Sequence, residues 1–278
     1  MLLGYICYKI IIMDHFDFSS KVYSKCKSIE QKIKLLGKYL LRNIKLVIDN
    51  DEYSLEEIEF YYFSKDHPDK YTHKDNDQLT NKMWYFHKYK NGTYKSGTYK
   101  GLDMTFGNGV DHGGILIRTI KNFDDENMVI GPCNVVNYII EKTENNTTED
   151  LVSGMKNLEI FNKKNSFYLK EDNNYDEDLE VFCGPRVGLS LKYPEYLVKD
   201  YRFLKNPDKI PKYKNTVVSA LYKKGITVKT ICDSTGIKKA FIDKAISEFN
   251  EGKDMDEDEV KEIGINKINV IYGYYCNN

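Results

Sequence analysis

Leu55 to Phe63 reads LEEIEFYYF. Two-residue alternation along an extended strand puts Glu57, Glu59, Tyr61 and Phe63 on one face and Glu56, Ile58, Phe60 and Tyr62 on the other. The first face sets a carboxylate beside an aromatic ring: if it lines a cavity, Glu59 beside Tyr61 places a general base against a stacking surface, whereas glutamates in exposed strands usually do nothing.

The flanking segments read as more of the same sheet. Lys45–Asp49 (KLVID), Leu102–Phe106 (LDMTF) and Gly114–Ile120 (GILIRTI) are strands, with turn material at Asp66–Asp69 and Gly107–Gly113. Ser28–Leu41 carries Ile33, Leu35, Leu36, Tyr39 and Leu40 at near-helical spacing, so a helix leads into the first of these strands. A helix begins near Asn134, after Gly131-Pro132, and the Asn/Asp/Glu-rich pieces between Glu141 and Asp178 read as exposed loops. The fold class expected is α+β, a mixed domain over residues 14–210 with a central antiparallel sheet. Met1 to Met13 is apolar but too short to span a bilayer, and reads as a first strand or as an extension upstream of a start at Met13.

After Pro211 the pattern turns helical. Asn215–Lys224, Val228–Asp233 and Lys238–Glu251 give three helices with a Gly-containing turn before the last, the helix-turn-helix rhythm over residues 211–253. This stretch has nine lysines against four acidic residues, which suits DNA docking, although three short helices can equally cap the main domain. Residues 254–278 read as an acidic linker and a terminal strand (INVIYGYY).

Lys+Arg 41 against Asp+Glu 42 leaves a net charge of -1, so affinity for a polyanion has to come from local clustering. Such clustering occurs between Gln78 and Leu102, where Lys82, Lys88, Lys90, Lys95 and Lys100 mix with Trp84, Tyr85, Phe86, Tyr89, Tyr94 and Tyr99, without one Asp or Glu. Lysines neutralise phosphates, and aromatic rings stack on bases or wedge into a duplex. A Lys/Tyr-rich hairpin is also what a solvated sheet edge looks like. The six cysteines form no C-x-x-C pair and no histidine stands at metal-ligand spacing, so neither a metal site nor a compact disulfide framework is suggested; no organic cofactor is expected. Free buried thiols in a soluble, intracellular monomer are the expectation, with no membrane partner.

Ordered along the chain, Leu35-Leu36-Gly37, Glu57-Ile58-Glu59-Phe60-Tyr61, Asp69 with His73, the aromatic hairpin from Trp84 to Tyr99, Ile115-Leu116-Ile117-Arg118, Gly131-Pro132, Arg186-Val187-Gly188 and Tyr201-Arg202-Phe203 resemble the alkyladenine (3-methyladenine) DNA glycosylase family. The resemblance runs from about residue 30 to 205; the helical tail has no counterpart in it. It implies a monofunctional glycosylase that excises alkylated or otherwise damaged purines from double-stranded DNA, in base excision repair. Glu59 would deprotonate the water that attacks the sugar carbon of a flipped-out nucleotide, and Arg118 would hold the water or the backbone. Tyr61 would stack on the base, with His73, or else His67, on its other side or on the adjacent phosphate. Tyr99, or else Tyr94, would fill the gap in the duplex, with Trp84 beside the substrate and the five lysines on the DNA backbone.

The chain departs from the family where an Asn is used to reject a guanine amino group: Asp103 and Thr105 stand there instead, so base preference does not carry over. The alternative expectation is a non-catalytic nucleic-acid-binding protein that uses the same fold as a platform.

Overall fold

A computed structural model describes residues 14–172, 176–263 and 267–277; the expected first strand at residues 1–13 lies outside the described residues. The chain forms two compact units, with the division after Leu179 rather than near residue 210.

In the first unit, helix α1 (Ile29–Asn43) starts at Ser28, whose side chain accepts from the Gln31 N–H. It buries Ile33, Leu36, Leu40 and Leu41 on one face, which packs on β1 (Ile44–Ile48) and β2 (Asp51–Phe63). The sheet continues with β3 (Asn81–Phe86), β4 (Leu102–Phe106), β5 (His112–Asn122) and β6 (Met128–Ile130). Helix α2 (Pro132–Lys142), with Pro132 in its first turn, packs on β5. The strand order is β3-β4-β5-β2-β1-β7, where β7 is Phe167–Glu171, with β6 also on β5, and every described pairing within this unit is antiparallel.

Cross-strand register sorts the side chains onto two faces. Trp84, Met104, Ile115 and Phe60 form one row, and the rings of Phe60, Tyr62, Phe106 and Phe18 meet on the same side. Each such side chain contributes roughly 1.5–3 kcal/mol when fully buried. The other face carries Tyr85, Asp103, Leu116 and Glu59 as the parallel row.

The stretch from Glu141 to Asp178 is not only loop. Helix α3 (Thr148–Gly154) and strand β7 (Phe167–Glu171) form within it, and Leu151, Ile160, Phe167 and Leu169 are buried. The acidic and amide residues dominate its composition, while the alternate positions Phe167 and Leu169 supply a strand that pairs with β1.

In the second unit, β8 (Phe182–Gly184) and β9 (Arg202–Leu204) form an antiparallel pair, with α4 (Pro194–Leu197) between them. Helices α5 (Lys214–Lys223), α6 (Val228–Thr235) and α7 (Lys239–Lys253) follow the three-helix rhythm, and Gly236 takes a left-handed conformation at the turn before α7. The expected acidic linker holds a helix, α8 (Glu257–Glu262), started by an Asp256/Glu259 capping box. The expected terminal strand is a helix, α9 (Ile268–Asn277). A Cβ on Gly273 would lie 1.9 Å from the Phe249 carbonyl oxygen, and one on Gly252 1.8 Å from that of Val270. Two glycines thus bring α7 and α9 into backbone contact, a long-range packing that local β-propensity cannot report.

Among the described residues no helix is long and apolar enough to cross a membrane. Cys26, Cys133, Cys183, Cys232 and Cys276 are free thiols, half-buried rather than buried.

Candidate active site

β2 and β5 do not run in simple register. The pairing slips between Leu55 and Glu57 and again between Glu57 and Ile58, so that Thr119 faces Glu57 while Ile117 faces Ile58. Arg118 is the extra residue. This bulge sends two successive β5 side chains toward one carboxylate. Arg118 Nε donates to Glu57 Oε1 at 3.0 Å, Thr119 Oγ1 donates to Glu57 Oε2 at 2.8 Å, and Arg118 Nη1 lies 3.4 Å from Glu59 Oε2. The Tyr61 hydroxyl donates to the same Glu59 oxygen at 2.9 Å. Burial works against the charge on Arg118, but Glu59 and Glu57 outweigh it, and the pKa of the guanidinium rises.

Glu59 is 0 % exposed, whereas Tyr61 and Arg118 are half-buried and form the part of this cluster that solvent touches. Three of the sequence-predicted residues, Glu59, Tyr61 and Arg118, therefore meet in one hydrogen-bonded group. Glu57 has the strongest tie to Arg118 and was not expected to have a role. Its place on the same strand face was visible, but the bulge that brings Arg118 to it was not.

His73 is not part of that group. Its Nε2 is 3.2 Å from Lys95 Nζ, its Nδ1 is 3.4 Å from the Tyr85 hydroxyl, and its ring meets His87 edge-on at 4.4 Å. Burial first, then the neighbouring His87, pulls its pKa down to about 4. The neutral ring accepts from Lys95 and donates from Nδ1 to Tyr85. Burial likewise lowers the pKa of Lys95.

His87, also unexpected, donates from Nε2 to Asp103 Oδ1 at 2.8 Å, and Gln78 Nε2 donates to Asp103 Oδ2 at 3.2 Å. Asp103 is 1 % exposed. Two glycines make the space: a Cβ on Gly101 would lie 2.4 Å from the His87 ring, and one on Gly114 would lie 2.5 Å from Asp103 Oδ2. The two-residue period from Tyr85 to His87 is the sequence signal that puts His87 on the polar face. Thr105 is buried, and its hydroxyl accepts from the Met83 N–H at 2.9 Å.

The remaining sequence-predicted residues fall in different places. Trp84 is 1 % exposed, on the core face, with its ring 4.9 Å from Phe167, so it is a packing residue and not a base contact. His67 is buried in the turn after β2, 5.7 Å from the Tyr62 ring. Lys88 is ion-paired with Asp77 and lies over the half-buried Tyr94 ring. Lys100 donates to Asn137 Oδ1 at 2.8 Å, Lys82 sits in β3 with a left-handed backbone, and Lys90 is exposed. Tyr99 stands at the tip of a short turn, 70 % exposed. The two motif arginines in the second unit hold backbone: Arg202 Nη1 donates to Tyr213 O at 2.9 Å and Arg186 Nη2 to Tyr196 O at 3.1 Å.

Among the described residues no three His, Cys, Asp or Glu side chains gather as a metal site. A polar surface cavity lined by Asp49, Asn50, Thr143, Lys163 and Tyr168 shares no residue with either cluster.

The fold and the site define a mixed α+β protein whose antiparallel sheet carries on one face a Glu–Arg–Tyr cluster with a buried glutamate. The chain is 35% identical over 195 residues to the uncharacterized protein L759 of Acanthamoeba polyphaga mimivirus, a match that spans 66% of this chain and 89% of that protein. It belongs to the family of that protein. No family model matches the chain.

Proposed function

We propose that the protein is a monofunctional DNA glycosylase that releases damaged purines from flipped-out nucleotides, with Glu59 as the base that activates water, on a sheet of the alkyladenine DNA glycosylase type. The observation that carries this is the convergence of the Tyr61 hydroxyl and the Arg118 guanidinium on one oxygen of Glu59. A carboxylate held in a fixed orientation can take a proton from water and, as an anion, stabilise positive charge that develops on the sugar as the base departs. Tyr61, beside it and half-buried, offers an aromatic face to the extruded base. The exposed Tyr99 suits the wedge that replaces the base in the stack, and Lys90 is an exposed cation of the same excursion.

Duplexes that contain hypoxanthine, ethenoadenine or 3-methyladenine, incubated with the protein and then cleaved at abasic sites with alkali, test the proposal. Wild type should nick at least one of them, and Glu59→Gln should slow that reaction by at least about 100-fold. Excision by Glu59→Gln at the wild-type rate would remove Glu59 from the chemistry. A second reading, a nucleic-acid-binding protein without activity, is favoured by the complete burial of Glu59. It predicts salt-sensitive binding across the same panel and no nicks.

A further inference from the structure

The second unit contains a helix pair to which the glycosylase reading gives no task. Val218 of α5, Ile231 of α6, Ile237 of the turn, and Ile242 and Ala245 of α7 form one buried cluster. The turn between α6 and α7 is fixed twice. Gly236 takes the left-handed conformation there, and the Thr235 hydroxyl donates to the Ile231 carbonyl at 2.5 Å while accepting from the Ile237 N–H at 3.2 Å. A pair so held presents α7 as a rigid rod. Its last turns pack on α9, where Phe249 and Gly252 are buried. Its first turns, with the residue before them, leave Lys238, Lys239, Phe241, Asp243 and Lys244 exposed.

The start of α7 runs against its own electrostatics. α1 and α6 open on a capping hydroxyl, from Ser28 and Thr227, whereas α7 opens on Lys238 and Lys239 with no side-chain cap and no acidic residue in its first turn. Cations there oppose the helix dipole, and a helix kept only to cap the fold has no use for them. Lys239 is paired with Asp243 at 2.7 Å, while Lys238, and Lys229 in the first turn of α6, form no ion pair among the described residues. The exposed lysines 229, 238, 239 and 244 thus outnumber the exposed acids of the same length, Asp233 and Asp243.

We propose that α7 is a recognition helix: its N-terminal half enters the major groove of double-stranded DNA and reads a short, undamaged sequence, while Lys229 and Lys238 hold phosphates. The major groove, about 12 Å wide, admits one α-helix. In a helix-turn-helix the second helix touches base edges with its N-terminal residues and the first crosses the backbone, which is where α7 and α6 carry their free lysines. Lys239 and Lys244 can donate to guanine O6 and N7, Asp243 can accept from the cytosine amino group, and Phe241, 36 % exposed, offers an apolar contact to a thymine methyl. A-form RNA closes its major groove to such a helix. The site goes beyond the glycosylase reading and does not depend on it, because no damaged base takes part.

Selection of the full-length protein on a random, undamaged duplex library, followed by competition between the selected and a scrambled duplex, tests the proposal. Wild type should enrich one short motif and prefer it by at least about 10-fold. Lys239→Ala should remove most of that preference. Asp243→Asn should move the preferred base at one position from cytosine toward adenine, a change that a merely structural residue cannot produce. Lys238→Ala should weaken binding to both duplexes alike and lower the salt slope by about 1. All three side chains are exposed, so the urea midpoints of the variants should match wild type. A wild type that enriches no motif, a preference that survives every α7 variant, or equal affinity for double-stranded RNA of the same sequence overturns the proposal. Release of damaged bases, present or absent, bears on the glycosylase reading alone.

Discussion

Arg118 makes its shorter hydrogen bond to Glu57, 3.0 Å from Nε, and its longer one to Glu59, 3.4 Å from Nη1. Glu57 is thus the anchor that fixes the guanidinium, and Glu59 is the group the guanidinium is aimed at. Both carboxylates are buried, at 2 % and 0 % exposed. Removal of the cation in Arg118→Ala should cost about 3–5 kcal/mol, because each carboxylate loses its buried counter-charge. Arg118→Lys keeps the charge but cannot reach both oxygens with a planar fork, so its cost should be smaller yet clear. Urea unfolding of the two variants checks this; an unchanged midpoint for Arg118→Ala would show that the cluster is not held by its arginine.

Trp84 and Tyr99 come from the same basic, aromatic stretch and should respond in opposite ways. Trp84→Ala opens a large cavity against Phe167 and should lose about 3–5 kcal/mol of stability. Tyr99→Ala removes a ring that is 70 % exposed and should change stability by no more than about 0.5 kcal/mol. If Tyr99 is the wedge, its loss lowers release from duplex DNA and spares release from single strands. Thermal melts joined to excision assays on both substrates separate the two roles.

The contrast marks what could be read from the sequence. Alternation in LEEIEFYYF put Glu59 and Tyr61 on one face and Phe60 and Tyr62 on the other, since a strand's period is a local property; which face is buried in the core is set by the packing. Arg118 lies beyond that rule. Regular alternation gives no warning of a bulge, and the bulge is what lets one residue reach Glu57 and Glu59 together. Composition misplaced Trp84, because an aromatic among lysines suggests a surface while its neighbours Tyr85 and Phe86 are buried as well. Asp77, just outside the acid-free window, neutralises Lys88. His87 and Asp103 are sixteen residues apart and meet only because β3 and β4 pair.

His15 should make the fold sensitive to mild acid. Its ring is buried, stacked on Tyr39 at 3.7 Å, and its Nδ1 has no hydrogen-bond partner among the described residues. Burial, only partly opposed by Asp14, lowers its pKa to about 4. The unfolded chain therefore takes up a proton near pH 6.5, which the folded chain refuses until about pH 4. Stability from this group is complete above pH 6.5 and declines as the pH falls through that window. The loss between pH 7 and pH 5 should be of the order of 1 kcal/mol. His73, lowered to about 4 as well, acts in the same direction. His15→Phe keeps the stack on Tyr39 and should flatten, without abolishing, the drop in urea midpoint from pH 7 to pH 5. An identical drop in wild type and variant would assign the acid sensitivity elsewhere.

The C-terminal helices should prove inseparable from the second unit rather than a removable docking module. A chain cut after Lys214 loses the helix on which β8 packs, where Gly184 would bring a Cβ to 3.2 Å from the Thr216 carbonyl oxygen, and it loses Tyr272, whose hydroxyl donates to Asp200 at 2.9 Å. Subtler variants test the same packing without deletion. Gly273→Ala sets a methyl 1.9 Å from the Phe249 carbonyl, and Gly252→Ala sets one 1.8 Å from that of Val270. Neither contact can be relieved by a side-chain rotation, so α7 and α9 have to separate, at about 1–3 kcal/mol or more for each variant. The double variant should cost less than the sum, because the first separation already makes room for the second methyl. Urea unfolding of the two single variants and the double variant decides it: additive or negligible costs would mean that the two helices are not in backbone contact.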